Sequence, residues 1–323
     1  MSAVVVFIIF AICLVIAIPI SISLGIVAVL PGAFDASFTA SAGYVIRSMV
    51  GGIDSFPLLA VPMFVLAGIL MAHGKISEKL FDVFVYFLGN KRAGIPCAVI
   101  ITCLFYGAIS GSAPATVAAV GSMTIPLLIE LGYEKDFSTA IVAVAGGLGV
   151  IIPPSIPFIM YAMATGESVS DLFLAGIVPG MMISALLIFY AYYYCRRHGE
   201  DREKIQAKMD QLKTKGFVNI LKESIWALLS PVIVLGCIYT GVASPTEAAV
   251  ISVFYSLFVS LFIYRSIKVK QIWGIMVEAM KTYAPILFIL ATSTAFSRVL
   301  TLMQVPQDVS AWIMAHFSNE IVL

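Results

Sequence analysis

Two short stretches of this 323-residue chain combine helix-breaking residues with small hydroxyl side chains. Residues 146–158 read GGLGVIIPPSIPF, and residues 109–116 read ISGSAPAT. Inside a helix, proline removes a backbone donor and clashes with the preceding turn, at a cost of about 3 kcal/mol. Such breaks free backbone carbonyl groups. Together with serine and threonine hydroxyls, these groups form an all-oxygen ligand set that suits a hard cation such as Na⁺.

Both stretches lie in apolar sequence that is long enough to cross a bilayer. The chain is 61% hydrophobic and 11% charged, with a mean hydropathy of +1.03. A span needs about 20 apolar residues, and charge-free segments of that order lie at 2–34, 55–72, 93–129, 137–166, 172–195, 224–246 and 248–264. The composition therefore predicts an all-α polytopic membrane protein, with segment 2–34 as a retained first helix and not a signal peptide.

Clusters of basic residues predict the orientation. Eight of the nineteen Lys and Arg lie between Arg196 and Lys222, so this segment is predicted to be cytoplasmic. The clusters at 91–92 and 265–270 agree with the same topology. Under it, segment 93–129 starts and ends on the cytoplasmic side as a re-entrant hairpin with its tip at 108–116. Segment 137–166 crosses the membrane as a discontinuous helix. The net charge of +1 gives no sign of nucleic-acid binding.

The two halves of the chain share a pattern. Segments 56–87 and 284–317 each read as a span followed by a shorter amphipathic stretch, and their predicted directions are opposite, as in an inverted repeat. We predict first-repeat scaffold helices and an amphipathic arm at 1–92, and the hairpin and broken helix at 93–170. A return span and cytoplasmic connector follow at 171–222, and second-repeat scaffold helices at 223–323. The second copies of the hairpin and broken helix are absent, so we expect roughly 100 further C-terminal residues in a complete repeat.

These residues also allow other interpretations. A single glycine–proline break in a membrane helix is often a kink, but two breaks in consecutive elements favour a site. The hairpin and the broken helix contain no Asp or Glu, which argues against a proton relay. Ser112 and Ser155 have no neighbouring His or Lys to activate them, so an enzyme is not predicted.

Glu247 is expected to form a capping box with Ser244. Arg298 could meet a substrate carboxylate or extend to the membrane interface.

Four stretches carry a resemblance to a known family: GIDSFPLLAVPMFVLAGILM, GAISGSAPATVAAVGSMTIP, GGLGVIIPPSIPF and SPTEAAVISVFYSL. They resemble, in the same order, the large membrane subunit of the TRAP (tripartite ATP-independent periplasmic) transporters. The resemblance implies an inverted-repeat, elevator-type secondary transporter whose second repeat is truncated here. It places the Na⁺ ligands at Ser110, Ser112, Gly149, Ile152 and Pro154. It also implies that the hairpin and break present to the substrate Gly111, Pro114, Thr116, Gly147, Pro153 and Ser155.

The same resemblance implies the partners and the setting. An organic acid would be delivered by a periplasmic substrate-binding protein, and a small TRAP membrane subunit would brace the scaffold in the bacterial inner membrane. The sequence leaves open which acid is carried: C4-dicarboxylates, sialic acid, other sugar acids and keto acids all remain. A stand-alone elevator-type Na⁺/carboxylate or ion transporter is the alternative. A channel is not favoured, because no polar or charged rings recur along several spans.

Overall fold

The computed structural model describes residues 2–35, 38–214 and 216–316, and within these ranges the chain is helical and contains no strand. The all-α prediction is confirmed. The described ranges hold α1 (Ala3–Val15), α2 (Ile20–Phe34), α3 (Ala42–Ile53), α4 (Ala60–His73), α5 (Ile76–Leu88), α6 (Gly94–Ser110), α7 (Ala113–Glu130), α8 (Lys135–Gly146), α9 (Ile156–Thr165), α10 (Val169–His198), α11 (Arg202–Thr214), α12 (Phe217–Tyr239), α13 (Pro245–Phe258), α14 (Val269–Leu302) and α15 (Val305–His316). Single 3₁₀ turns lie at Phe56–Leu59 and Gly147–Val150, and α13 continues into a π-helical turn at Val259–Ile263.

Six helical segments in the described part of the chain are long and apolar enough to cross a membrane. They are Phe56–His73, Ala113–Glu130, Val169–His198, Phe217–Tyr239, Pro245–Ile263 and Val269–Leu302. Four shorter apolar helices, α1, α2, α6 and α9, accompany them. This is the pattern of a polytopic helical membrane protein.

The N-terminal segment departs from the prediction. It was expected to form one retained helix, and it forms two, α1 and α2, with a turn between them. Ala17 adopts a left-handed conformation with φ of 63°, and the Ile18 amide donates to the Cys13 carbonyl over 3.0 Å. Pro19 then stands at the N-cap of α2 with φ of −52°, and α2 begins at Ile20. Hydropathy alone missed the turn because all of these residues are apolar or small.

The chain divides into two compact units. We call Met1–Ser55 with Lys281–Leu323 the terminal unit, and Phe56–Met280 the central unit. The core of the terminal unit includes Val27, Val45 and Val299. The core of the central unit is larger and includes the fully buried Tyr106 and Leu148. The two units are defined by contacts within the fold. The four functional segments predicted from the sequence, at 1–92, 93–170, 171–222 and 223–323, stay a prediction.

The hairpin and the discontinuous helix both lie in the central unit. They occur at the residues where the sequence predicts them. Only Gly111 and Ser112 separate α6 from α7, so this segment turns back on itself. The helix that starts as α8 stops at Gly146 and resumes as α9 at Ile156. The helix pairs α4–α5 and α14–α15 also repeat one pattern, since each pair is joined through a left-handed residue, Lys75 or Gln304, with φ of 60°. An inverted repeat stays a prediction.

The connector between α10 and α12 contains a helix, α11. Its apolar residues Ile205, Met209 and Leu212 follow the i, i+4, i+7 spacing of one helix face and are buried. Met209 packs against Gly89, where its sulfur lies 2.3 Å from the position that a β-carbon would take. The charged residues of α11 occupy the other face. The connector is therefore an amphipathic helix docked on the end of α5.

The capping box at the start of α13 is confirmed. The Glu247 amide donates to Ser244 Oγ over 3.3 Å, and the Ser244 amide donates to Glu247 Oε2 over 2.7 Å. We predict that Ser244→Ala lowers the free energy of unfolding by about 1 kcal/mol, since an N-cap oxygen is lost. Thermal unfolding of the purified protein in lipid nanodiscs measures the change. Ser168→Ala should cost less, because Ser168 Oγ accepts from the Asp171 amide, whereas Ser244 Oγ both accepts from the Glu247 amide and donates to Glu247 Oε2 over 2.8 Å. An equal or larger effect at Ser168 would contradict the prediction.

Candidate cation site at the hairpin tip and helix break

The hairpin tip is formed by two residues with opposite backbone requirements. Gly111 ends α6 in the left-handed region with φ of +61°, which glycine adopts without steric penalty. Ser112 is extended and caps α7, and its Oγ accepts from the Ala115 amide over 3.5 Å. Pro114 stands in the first turn of α7, where its missing N–H carries no penalty. The local sequence therefore specifies both the end of α6 and the start of α7.

The helix break is formed by two prolines in a row. If the helix continued, the carbonyls of Gly149 and Val150 would accept from residues 153 and 154, but Pro153 and Pro154 have no N–H. Val150 O accepts instead from Ser155 Oγ over 2.6 Å, and Ser155 is also the N-cap of α9. The prolines therefore end the helix and leave carbonyl groups inside the central unit without helical hydrogen bonds.

The tip and the break dock on each other. The Ile156 amide donates to the Gly111 carbonyl over 3.2 Å, which gives each irregular segment a backbone partner from the other. The Pro154 carbonyl oxygen lies 2.9 Å from the position that a β-carbon on Gly111 would take. A β-carbon on Gly149 would lie 2.4 Å from Thr116 Oγ1 and 2.9 Å from the Ser112 carbonyl oxygen. The contact is therefore backbone to backbone, and glycine makes it sterically feasible.

Three hydroxyl and carbonyl oxygens form a buried cluster beside this contact. Ser110 Oγ and Thr116 Oγ1 lie 3.0 Å apart, and Thr116 Oγ1 donates to the Ser112 carbonyl oxygen over 2.8 Å. Ser110 and Thr116 are fully buried. Each hydroxyl oxygen has two acceptor lone pairs in addition to its one proton. The cluster can therefore turn lone pairs toward a cation while its protons stay bonded within the protein.

The balance of donors and acceptors favours a cation over an anion. The C-terminal ends of α6 and of the turn at Gly147–Val150 carry the negative ends of helix dipoles. The N-terminal ends of α7 and α9 offer few amides, because those of Ala115 and Thr116, and of Phe158 and Ile159, already bond to the capping serines. Residues 93–129 and 137–166 contain no charged side chain. Calcium sites depend on carboxylates, so neutral oxygens of this kind suit a monovalent ion.

The structure brings most of the predicted cation ligands to one place. Ser110, Ser112 and Gly149 meet at the oxygen cluster, and Pro154 meets the tip at Gly111. Ile152 lies in the same break and is buried, and its side chain packs toward α10. Their role as Na⁺ ligands stays a prediction.

The residues expected to face the substrate are more dispersed. Thr116 and Ser155 are fully buried, the first in the oxygen cluster and the second as a helix cap. Pro114 is exposed on the first turn of α7, whereas Pro153 is buried in the break. Gly147 is half-buried and has no atom within 4 Å of its β-carbon position. Substrate contact by any of these residues stays a prediction. In the terminal unit, Arg298 is exposed, and its role stays open.

Several residues that hold the site were not singled out from the sequence. Gly107 abuts the backbone of Gly149, with its β-carbon position 2.6 Å from the Gly149 Cα. Gly68 of α4 abuts Ser110, and its carbonyl accepts from the Tyr106 hydroxyl over 2.7 Å. On α10, glycines 176 and 180 contact residues 151, 152 and 158 around the break. The four-residue spacing of glycines at 107 and 111, and at 176 and 180, is the signal that could have located these close approaches.

The chain matches a family of known proteins. The family model described as "Tripartite ATP-independent periplasmic transporter, DctM component" matches residues 7–323. The chain belongs to this family. The expected resemblance to the large membrane subunit of the TRAP transporters is therefore confirmed, and the family is one of transport components and not of enzymes.

Relatives within the TRAP family carry different substrate names. The isethionate TRAP transporter permease protein DctMQ of Oleidesulfovibrio alaskensis is 40% identical over 97% of this chain and 48% of its own length. The C4-dicarboxylate TRAP transporter large permease protein DctM of Pseudomonas aeruginosa is 38% identical over 80% of this chain and 60% of its own. The 2,3-diketo-L-gulonate TRAP transporter large permease protein YiaN of Escherichia coli is 35% identical over 82% and 61%. The chain thus spans about half to three fifths of the length of these TRAP relatives.

Two neighbouring glycines provide a matched test of the tip-to-break contact in this TRAP component. We predict that Gly149→Ala lowers the free energy of unfolding by about 1–3 kcal/mol, because the new methyl group overlaps Thr116 Oγ1 and the Ser112 carbonyl. Gly147→Ala should change stability little, since nothing lies within 4 Å of the added carbon. Thermal unfolding of both variants in nanodiscs measures the difference. Equal effects of the two substitutions would contradict the observed packing.

Proposed function

We propose that this chain is part of the membrane permease of a Na⁺-coupled, binding-protein-dependent secondary transporter that imports an organic acid. The hairpin tip and the helix break would bind the co-transported Na⁺. The observation that supports this most strongly is the docking of Gly111 on Ile156 and Pro154 next to a buried cluster of neutral oxygens. Irregular backbone at membrane depth is tolerated where it lines a cavity or a site, and freed carbonyls at broken helices coordinate Na⁺ in secondary transporters.

We further propose that the permease works by an elevator mechanism. The hairpin, the broken helix and the return helix α10 would move together as the transport element. Their mutual packing supports this, because glycines of α6 and α10 contact the break from two sides. The scaffold would come from the remaining helices. Inverted-repeat architecture is part of the same proposal.

Family membership supports a proposal for the partners and the setting. A periplasmic substrate-binding protein would deliver the substrate, and a small TRAP membrane subunit would accompany the permease in the bacterial inner membrane. The substrate class is an organic anion such as a C4-dicarboxylate, sialic acid or a similar carboxylate. Relatives named for isethionate, C4-dicarboxylate and diketogulonate support the class without selecting a member.

Uptake into proteoliposomes tests the proposal. The full-length permease that contains this sequence would be reconstituted with its small subunit, and labelled substrate would be added with and without the binding protein. We expect uptake under an inward Na⁺ gradient and little uptake under an inward K⁺ gradient, with a requirement for the binding protein. Uptake that needs Na⁺ but no binding protein would support the stand-alone alternative. Uptake that ignores Na⁺ would overturn the cation assignment.

The oxygen cluster gives a sharper prediction within the same assay. Thr116→Val keeps the side-chain shape and removes Oγ1. We expect it to raise the Na⁺ concentration for half-maximal uptake at least about tenfold, because a hydrogen-bonding group that interacts with a charge contributes about 1.5–3 kcal/mol. Thr124→Val is the matched control. It lies two turns further along α7, is equally buried, and loses only a bond to the Val120 carbonyl. A similar shift in both variants would contradict a specific role for Thr116.

A further inference from the structure

A buried carboxylate lies at the opposite end of the hairpin from the tip. The Glu200 side chain is 2% exposed, although it follows α10 in a segment rich in charge. Burying a carboxylate is costly unless donors surround it. Three donors do so here, and they come from different segments of the chain. The cation site described above makes no use of this residue.

One oxygen of Glu200 receives a donor from each end of the hairpin. The Ala93 amide, immediately before α6, donates to Oε1 over 3.0 Å. The Tyr133 hydroxyl, just after α7, donates to the same oxygen over 2.7 Å. Burial and this bond raise the pKa of the Tyr133 hydroxyl, so the tyrosine stays a donor at physiological pH. Oε1 therefore bridges the chain that enters the hairpin and the chain that leaves it.

The second oxygen fixes the carboxylate to the connector. Arg202 Nη2 donates to Oε2 over 2.8 Å, and Arg202 Nη1 donates to the Asn90 carbonyl over 3.3 Å. The carboxylate is thus neutralised by a residue at the start of α11. Nearby, the Tyr194 ring of α10 stacks on the Phe137 ring of α8 with centroids 3.9 Å apart. The end of α10 holds the bases of α6, α7 and α8 in one cluster.

The position of the hairpin tip depends on the angle at which the base of α6 is held. The 17 residues of α6 span about 25 Å from Ala93 to the tip. A helix of that length turns a tilt of about 2° at its base into a shift of about 1 Å at its tip. Functional groups must be held within about 0.5 Å of their working geometry. The base of the hairpin therefore has to be held firmly for Gly111 to stay against Ile156.

We propose that Glu200 is a positioning residue that clasps both ends of the hairpin and thereby holds the hairpin tip against the helix break. Its consequence for transport rests on the proposed function. The positioning itself is a property of the folded chain, and it can be measured without Na⁺, substrate or partners.

Hydrogen exchange detected by mass spectrometry reads both ends of the hairpin in one experiment. The Ala93 amide reports the clasp, because it donates to Glu200, and the Ile156 amide reports tip docking, because it donates to Gly111. Pro153, Pro154 and Pro157 have no N–H, so a peptide over 151–158 reports on few amides besides that of Ile156. The protein would be in nanodiscs in K⁺ buffer. Uptake that proved independent of Na⁺ would overturn the cation assignment and leave this measurement unaffected.

Glu200→Ala removes all three acceptor contacts. We expect exchange at Ala93 to rise at least tenfold and exchange at Ile156 at least threefold. Glu200→Gln keeps a carbonyl oxygen for Ala93 and Tyr133. Exchange at Ala93 should therefore rise at most about threefold, and exchange at Ile156 should stay within about twofold of wild type, since a neutral acceptor retains roughly half the strength of an ionised one. The matched control is Glu203→Ala, an exposed glutamate three residues away, which should leave both rates unchanged.

Tyr133→Phe provides a second route if Glu200→Ala does not fold. It opens only the exit end, so exchange over 131–137 and at Ile156 should rise while the Ala93 amide stays close to wild type. Faster exchange at the base with wild-type exchange at Ile156, in either variant, would overturn the proposal, because the clasp would then act locally. Equal effects of Glu200→Ala and Glu200→Gln would also overturn it, since they would assign the contact to charge pairing with Arg202.

Discussion

The architecture of the central unit depends on one requirement: backbone groups freed inside apolar surroundings must find partners. The hairpin tip and the helix break each leave such groups, and each supplies what the other lacks. The Gly111 carbonyl accepts from the Ile156 amide, so neither irregular segment is satisfied on its own. The glycines at 107 and 149 are needed because only backbones without β-carbons approach this closely. The helices around them act as supports that keep this contact in register.

Local signals in the sequence were sufficient for the parts of this arrangement that are built from neighbouring residues. Proline pairs, glycine turns, charge clusters and the serine–glutamate spacing predicted the break, the hairpin, the connector and the capping box. Each of these signals lies within a few residues of the feature that it predicts. The turn between α1 and α2 was not predicted, although Pro19 marks it, and Ala17 itself gives no signal of its left-handed conformation.

Long-range pairings could not be predicted in the same way. The contacts of Gly68 with Ser110, of Gly107 with Gly149, and of Glu200 with Ala93 join residues that are 42 or more positions apart. Glu200 follows a membrane span, where a glutamate is usually exposed at the interface. Nothing in the sequence therefore indicates that its side chain is buried. The candidate site is made of backbone oxygens and small hydroxyls, which carry no recognition of a particular organic anion. This fits a family whose members are named for different acids.

The paired N-terminal helices have a consequence for the surrounding lipid. At 1.5 Å per residue, the 13 residues of α1 and the 15 of α2 reach only about 20 and 22 Å. The hydrocarbon layer is about 30 Å thick. Neither helix alone matches it, and a helix of this length that spans by itself imposes a hydrophobic mismatch, which local thinning of the bilayer or oligomerisation relieves.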